Sequence, residues 1–263
     1  KISDVRFLNG ALDNDAIQKL AIQVPSGLIS YFPLNGNSKD YGNYLNHLTI
    51  SGATTTTDRN GHANGAYNFN GGAFMQKLNP NGLPTGSNPR TNCVWFRTTN
   101  TVGQYLVGYG LMNPPAGLGN GLVITSTVTG NFGVTDDANV FHEEFINQWM
   151  HLCGIYDSTT AYVYENGVLR HSEPKTWSTA TSPNLEVGRL INGTGNFFGD
   201  IDDVRIYNRA LSVSEMKALA GHYPTQVSSW NQTLASSSLK FFLMPQATTY
   251  SGGLCSGGVN CVS

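Results

Sequence analysis

Three aspartates crowd into the five-residue run "GDIDD", at Asp200, Asp202 and Asp203, in a chain where only 17 of 263 residues are acidic. A further acid stands in the glycine-containing loop "NSKDYGN", where Asp40 is followed by Asn43. A hard cation such as Ca2+ takes about six to eight oxygens, with carboxylates supplemented by amide and backbone carbonyls. If the two segments meet at one end of the fold, Asp40, Asn43, Asp202 and Asp203 form a candidate calcium site, with Asp200 beside it. A second reading needs no ion: Asp40 ends a turn, and Asp203 pairs with Arg205 or another surface base.

Catalytic spacing is harder to find. A strand-based glycoside hydrolase needs an acid and a nucleophile facing one cleft, and no Glu-x-Asp-x-Glu run occurs. Glu143 and Glu144 are adjacent and would face opposite ways on a strand. The six histidines are scattered, without His-x-x-x-His or His–Cys pairing of the kind that ligates metals. His151 in "WMHLCGIYD" reads as a solvated strand histidine. No Gly-x-Ser-x-Gly elbow is present. "GLGNGL" (117–122) links two strands, so it does not cradle phosphate at a helix start. No catalytic residue is expected.

Binding chemistry is better supplied. Sugars are held by an aromatic face together with Asn, Asp and Gly groups that reach hydroxyls. Candidate aromatics in or beside loops are Tyr109, Phe141, Trp177 and Phe198, the last in "LINGTGNFF" with Asn192. Each could equally cover an edge of the core. Trp95 and Trp149 alternate with apolar positions and read as core. Of the four cysteines, Cys255 and Cys261 bracket "SGGVN", a short loop that closes easily into a disulfide. Cys93 and Cys153 lie on apparent strands, either bridged across neighbours or both buried as thiols.

Charged residues make up 12% of the chain and the net charge is −2, which gives no electrostatic reason to expect nucleic acid or an anionic membrane. Gly, Asn, Thr and Ser carry the solubility instead, as suits an extracellular protein, and an even cysteine count favours an oxidising compartment. No stretch is long and apolar enough to span a membrane. No secretory signal precedes Lys1, so an exported form is expected to be a processed or excised piece. The sequons Asn192-Gly-Thr194 and Asn231-Gln-Thr233 matter only in a eukaryotic secretory route.

The elements that must position these groups are almost all strands. Short alternating runs separated by Gly, Asn and Pro predict an all-β sandwich. "AYVYENGVLRH" is the best hairpin, with Asn166-Gly167 supplying a type I′ turn. Two short helices are expected, at Asp13–Ala21 and Ser212–Ala220, the second with a capping box of Ser212 and Glu215. In the last strand Asp202 shares a face with Val204 and Ile206, unless a bulge intervenes. The phrase "SDVRFLNGAL" (3–12) returns as "DDVRIYNRAL" (202–211), with Ser3 where the second copy has Asp202.

The ordered features "GLISYFPLNGNSKDYGN", "AYNFNGG", "NCVWFRTT", "WMHLCGIYD", "YVYENGVL", "LEVGR" and "FFGDIDDVRIYNRALSVSEMKAL" resemble the laminin-G-like, concanavalin-A-like domains of bacterial surface proteins and pentraxins. The resemblance implies a two-sheet antiparallel jelly roll over residues 25–223, with first and last strands adjacent. Residues 1–24 then resemble the closing strand and helix of a preceding module or an exchanged strand, and 224–263 an extension or the start of another module. It also implies calcium at Asp40 and Asp202. The function to expect is non-catalytic recognition of glycans or of surface and matrix proteins, on a secreted or cell-surface protein. The alternative is a subunit of a tandem array or fibre, joined to copies of itself through terminal strands.

Overall fold

The computed structural model describes residues 26–100, 103–111, 118–126, 129–134, 138–141 and 146–221. The two terminal segments, with the Cys255–Cys261 pairing and the array alternative that depends on them, lie outside the described residues. Within them, strands stack into two antiparallel sheets. The larger sheet runs β13 (Val168–Pro174), β12 (Thr160–Glu165), β11 (Met150–Tyr156), β6 (Arg90–Thr98), β15 (Phe198–Tyr207), β4 (Ala66–Asn70) and β3 (Thr54–Thr56), with β1 (Leu28–Phe32) also on β15. The smaller runs β10 (Ala138–Phe141), β9 (Thr129–Val134), β8 (Gly119–Ser126), β7 (Gln104–Gly110), β14 (Asn184–Val187), β5 (Phe74–Leu78) and β2 (Thr49–Ser51). First and last strands are neighbours, Phe32 facing Val204.

Alternation fills the space between the sheets: Val94 and Phe96 of β6, Leu152 of β11, Leu185 and Val187 of β14, and Ile201, Val204 and Ile206 of β15. Burying such side chains is the main drive to stack the sheets, at about 1.5–3 kcal/mol each. Tyr109 and Trp177 belong to this core and are fully buried, so neither can meet a ligand. The β12–β13 hairpin forms as expected, with Asn166 at φ 48° and Gly167 at φ 76°.

The closing strand departs from simple alternation. Asp202 faces Trp95 and Arg205 faces Cys93, so three steps on β15 match two on β6. The extra residue is absorbed at Asp203, which adopts φ 53°. This bulge changes the parity. Ile201 and Val204 both point inward, and Asp202 joins Asp203 on the outer face instead of sharing the face of Val204 and Ile206.

A second cluster lies on the outer face of the larger sheet. Leu28, Cys93, Cys153, Ile155, Tyr164 and Tyr207 pack beneath Leu211 and Met216, the latter from helix α1 (Val213–Leu219). Ser212 caps α1, and Glu215 answers with the full capping box. Cys93 and Cys153 face each other across β6 and β11 and form a disulfide, which decides between the two readings of that pair.

Candidate functional site: an arginine–aromatic ladder

Side chains in phase with Cys93 on β6, Trp95 and Arg97, must also point outward, because Val94 and Phe96 point inward. On β15 the same reasoning turns out Phe198, Asp200 and Asp202. These strands therefore lay a row of aromatic, basic and acidic groups along the outer face beyond the helix. The row repeats one unit three times. Arg97 lies 5.3 Å from the Trp149 ring and binds Asp200 through Nε and Nη2, at 3.0 and 2.6 Å. Arg59 lies 4.8 Å from the Trp95 ring and pairs with Asp202. Arg205 lies 4.2 Å from the Tyr31 ring and binds Asp203 through Nε at 2.6 Å. A guanidinium over an aromatic face is held by the ring quadrupole, and its edge is free to engage a carboxylate in plane.

The three units differ in access. Their arginine side chains are 34%, 24% and 21% exposed, from the rim toward the helix. Arg59 reaches the row from the loop after β3. There the Asp58 carboxylate accepts from the amides of Asn60 and His62, at 2.8 Å each, and contacts His62 Nδ1 at 2.9 Å. Arg59 also donates to Asp203 at 3.0 Å, linking the second and third units. Burial pushes Asp202 up to about 7, outweighing the Arg59 charge, with Asp203 and Asp58 adding to the rise. Next to Trp95, at 5.1 Å between ring centres, is His151. It is not solvated: burial holds it down at about 3, so the imidazole is neutral.

At the rim the row opens. Asn68 donates to Asp200 Oδ1 at 2.8 Å. Phe198 is 46% exposed, yet its backbone is clamped on both sides. Its N–H donates to Gln104 Oε1 at 2.8 Å and its carbonyl accepts from Thr98 Oγ1 at 2.5 Å. The ring lies against Gly71, where a β-carbon would come within 3.1 Å of it. An apolar ring held in a fixed place beside a guanidinium, a carboxylate and an amide is equipped to receive a polyol.

The residues expected to bind calcium have other partners. Asp40 is buried, and its Oδ1 accepts from the amides of Tyr31 and Gly42 while Oδ2 accepts from that of Asn46, all at 2.7 Å. Asn43 donates to the Leu28 carbonyl at 2.8 Å. Asp202 and Asp203 face two guanidinium groups. A cation needs several oxygens directed at one point, and these donors do not fit one: Asp40 organises a loop and the aspartate pair completes the ladder. Of the expected sugar contacts, Phe198 stands at the rim. Asn192 is exposed and folds its Oδ1 onto Thr194 N and Oγ1 at 3.0 and 2.6 Å. Phe141 ends β10, and its side chain lies outside the description. Trp95, Arg97, Arg59, Asn68 and Trp149 were not expected here, although Trp95 and Arg97 share the phase of Cys93 in "NCVWFRTT".

Two antiparallel sheets closed by the pairing of first and last strands define a jelly-roll sandwich. The chain belongs to the concanavalin A-like lectin/glucanases superfamily, whose laminin G model matches residues 70–217. No curated protein is significantly similar to it in sequence. Among solved structures it is similar to domain 4 of AbnA, a GH43 extracellular arabinanase from Geobacillus stearothermophilus, in complex with arabinotriose. There the TM-score is 0.58 and the identity 20%, over 73% of this chain and 98% of that one. The botulinum neurotoxin serotype G binding domain gives a TM-score of 0.59 at 18% identity, over 74% and 50%. The binding domain of Paraclostridial Mosquitocidal Protein 1 gives 0.58 at 14%, over 74% and 51%. The chain thus matches about half the length of the two toxin domains.

Proposed function

We propose that this module is a non-catalytic carbohydrate-recognition domain of an extracellular or cell-surface protein, and that it binds a neutral glycan at the open end of the ladder. The observation that carries this reading is the clamped, exposed Phe198 beside Arg97, Asp200 and Asn68. The ring offers a face for sugar C–H groups, and the polar groups offer donors and acceptors for hydroxyls. Charge bears on the ligand class. Arg59, Arg97 and Arg205 are matched by Asp200, Asp202 and Asp203, so the row has no strong field to select an anion or a cation. Each of these carboxylates is engaged by a guanidinium, which argues against an acid–nucleophile pair. The similarity to a domain solved with arabinotriose makes that trisaccharide a sensible first probe.

The test is titration calorimetry with arabinotriose and a panel of neutral oligosaccharides, on the wild type, Phe198→Ala and Arg97→Ala. Loss of either side chain is expected to weaken binding about tenfold or more, the size of a 1.4 kcal/mol contact. Absence of binding to every neutral glycan would sink the reading, as would affinities that both variants leave unchanged.

A further inference from the structure

We propose that Cys93, Cys153 and His151 form a redox-exchanged metal site, in which zinc or a similar soft divalent ion replaces the disulfide when the two sulfurs are reduced. The three residues meet on the outer face at the border between ladder and helix. Cys153 faces Cys93 across the strands, and His151, two residues before Cys153, faces Trp95. His151 Nε2 is 3.6 Å from Cys153 Sγ. Ligand atoms from all three residues lie within 4.8 Å of one another, and all three residues are buried. The histidine–cysteine pairing that the sequence spacing did not suggest is therefore made by strand geometry.

The distances suit the ion. With Zn–S of ~2.3 Å and Zn–N of ~2.0–2.1 Å, tetrahedral angles place S and N roughly 3.5 Å apart, close to the separation already present. Two sulfurs on the same ion would stand ~3.8 Å apart by the same reckoning, so the main movement is their separation once the bond is cut. Two thiolates and a divalent ion sum to zero charge, which a buried site tolerates far better than an unpaired charge. Three protein ligands leave one position for solvent, as in open zinc sites.

The chemistry balances with a phosphine as reductant. The S–S bond breaks, phosphorus gives up two electrons and takes oxygen from water to become the phosphine oxide, and the two sulfurs become thiols. Binding the ion then releases both thiol protons. A cellular dithiol would serve equally, closing its own disulfide. The same pair of strands would be crosslinked through S–S under oxidising conditions and through the metal under reducing ones.

The test uses the whole chain reduced with tris(2-carboxyethyl)phosphine, freed of reductant without oxygen and titrated with Co2+. A 1:1 endpoint is expected, with a sulfur-to-cobalt charge-transfer band, visible bands of tetrahedral cobalt, quenching of the neighbouring Trp95 emission, and displacement by Zn2+. Cys93→Ser should abolish the bands. His151→Asn should weaken binding by more than about 100-fold, since even outer-shell partners of a metal account for 10–100-fold. No charge-transfer band, or a band that His151→Asn leaves unchanged, would overturn the proposal. If reduction alone unfolds the domain, Zn2+ must restore its near-UV circular dichroism, and failure to do so overturns the proposal equally.

Discussion

Strands β6, β11 and β15 run through both halves of the outer face of the larger sheet, and their side chains change character along the way. Near the helix the face is apolar and crosslinked, with Cys93, Cys153, Ile155 and Tyr207 under Met216 and Leu211. Toward the rim the same sheet carries Trp95, Arg97, Asp200 and Phe198, with no helix above them among the described residues. The bulge at Asp203 marks the change, because it turns two carboxylates outward where alternation would have shown one. Where the described residues place no second layer, the sheet face is made of arginines and aromatics that satisfy one another. The covered half should therefore determine stability, and the open half should determine binding.

The largest effect should follow from the crosslink. Cys93 and Cys153 are 60 residues apart in sequence. Chain entropy then assigns the disulfide roughly 4 kcal/mol. The double variant Cys93→Ser, Cys153→Ser should lose about that much in urea unfolding, while any glycan affinity of the folded fraction is kept. A loss below about 1 kcal/mol would show that the covered half does not depend on its crosslink. Next comes Met216→Ala, which leaves a hole between helix and sheet and should cost about 2–5 kcal/mol. Trp149→Ala at the open end gives up a partly exposed cation–π contact, about 0.5–1 kcal/mol. Equal losses from these two substitutions would break the division.

Much of this architecture was legible in the sequence. The pairing of the closing strand with the opening one follows from the family resemblance, whereas the hairpin at Asn166-Gly167 and the capping box of Ser212 and Glu215 have local signals. Each of these two is a pattern that a few adjacent residues fix by themselves. The ladder was less legible, for two reasons. Parity was lost at Asp203, and a bulge has no obligatory residue unless it calls for glycine. Trp95 and Trp149 read as core because they alternate with apolar positions, although Arg97 in phase with Trp95 shows which side that phase faces. Arg59 comes from a loop distant in sequence, and nothing local announces its partners. Tyr109 and Trp177 show the opposite error, since loop-like surroundings in sequence proved to be core.

The pH dependence separates the two halves by sign. At the helix, bonds from Arg209 hold Glu215 down at about 2, below its unfolded value of roughly 4.3. Its contribution is present above about pH 4.3 and is lost as pH falls toward 2. Asp202 is raised instead, to about 7, from an unfolded value of roughly 3.9. Between those values the native state holds the extra proton, so its contribution grows as pH falls from about 7 to about 4. Subtracting the stability profile of Asp202→Asn from that of the wild type should reveal that slope. The corresponding difference for Glu215→Gln should be full and flat above about pH 4.3 and vanish as pH falls toward 2. A difference of the same sign for both variants would show that Arg59 outweighs burial at Asp202.

The smallest expected effect is that of calcium. An ion at one hundred times its dissociation constant would stabilise the fold by about 2.7 kcal/mol. For a domain of this size that is a rise in melting temperature of roughly 5–10 °C. With Asp40 taken by three amides and Asp202 and Asp203 by two guanidinium groups, melting curves in calcium and in EDTA should coincide. A shift of several degrees, abolished by Asp202→Ala, would mean that Arg59 yields its partner to the ion. The ladder would then be one state of a metal centre, and the middle of the outer face would belong with neither half.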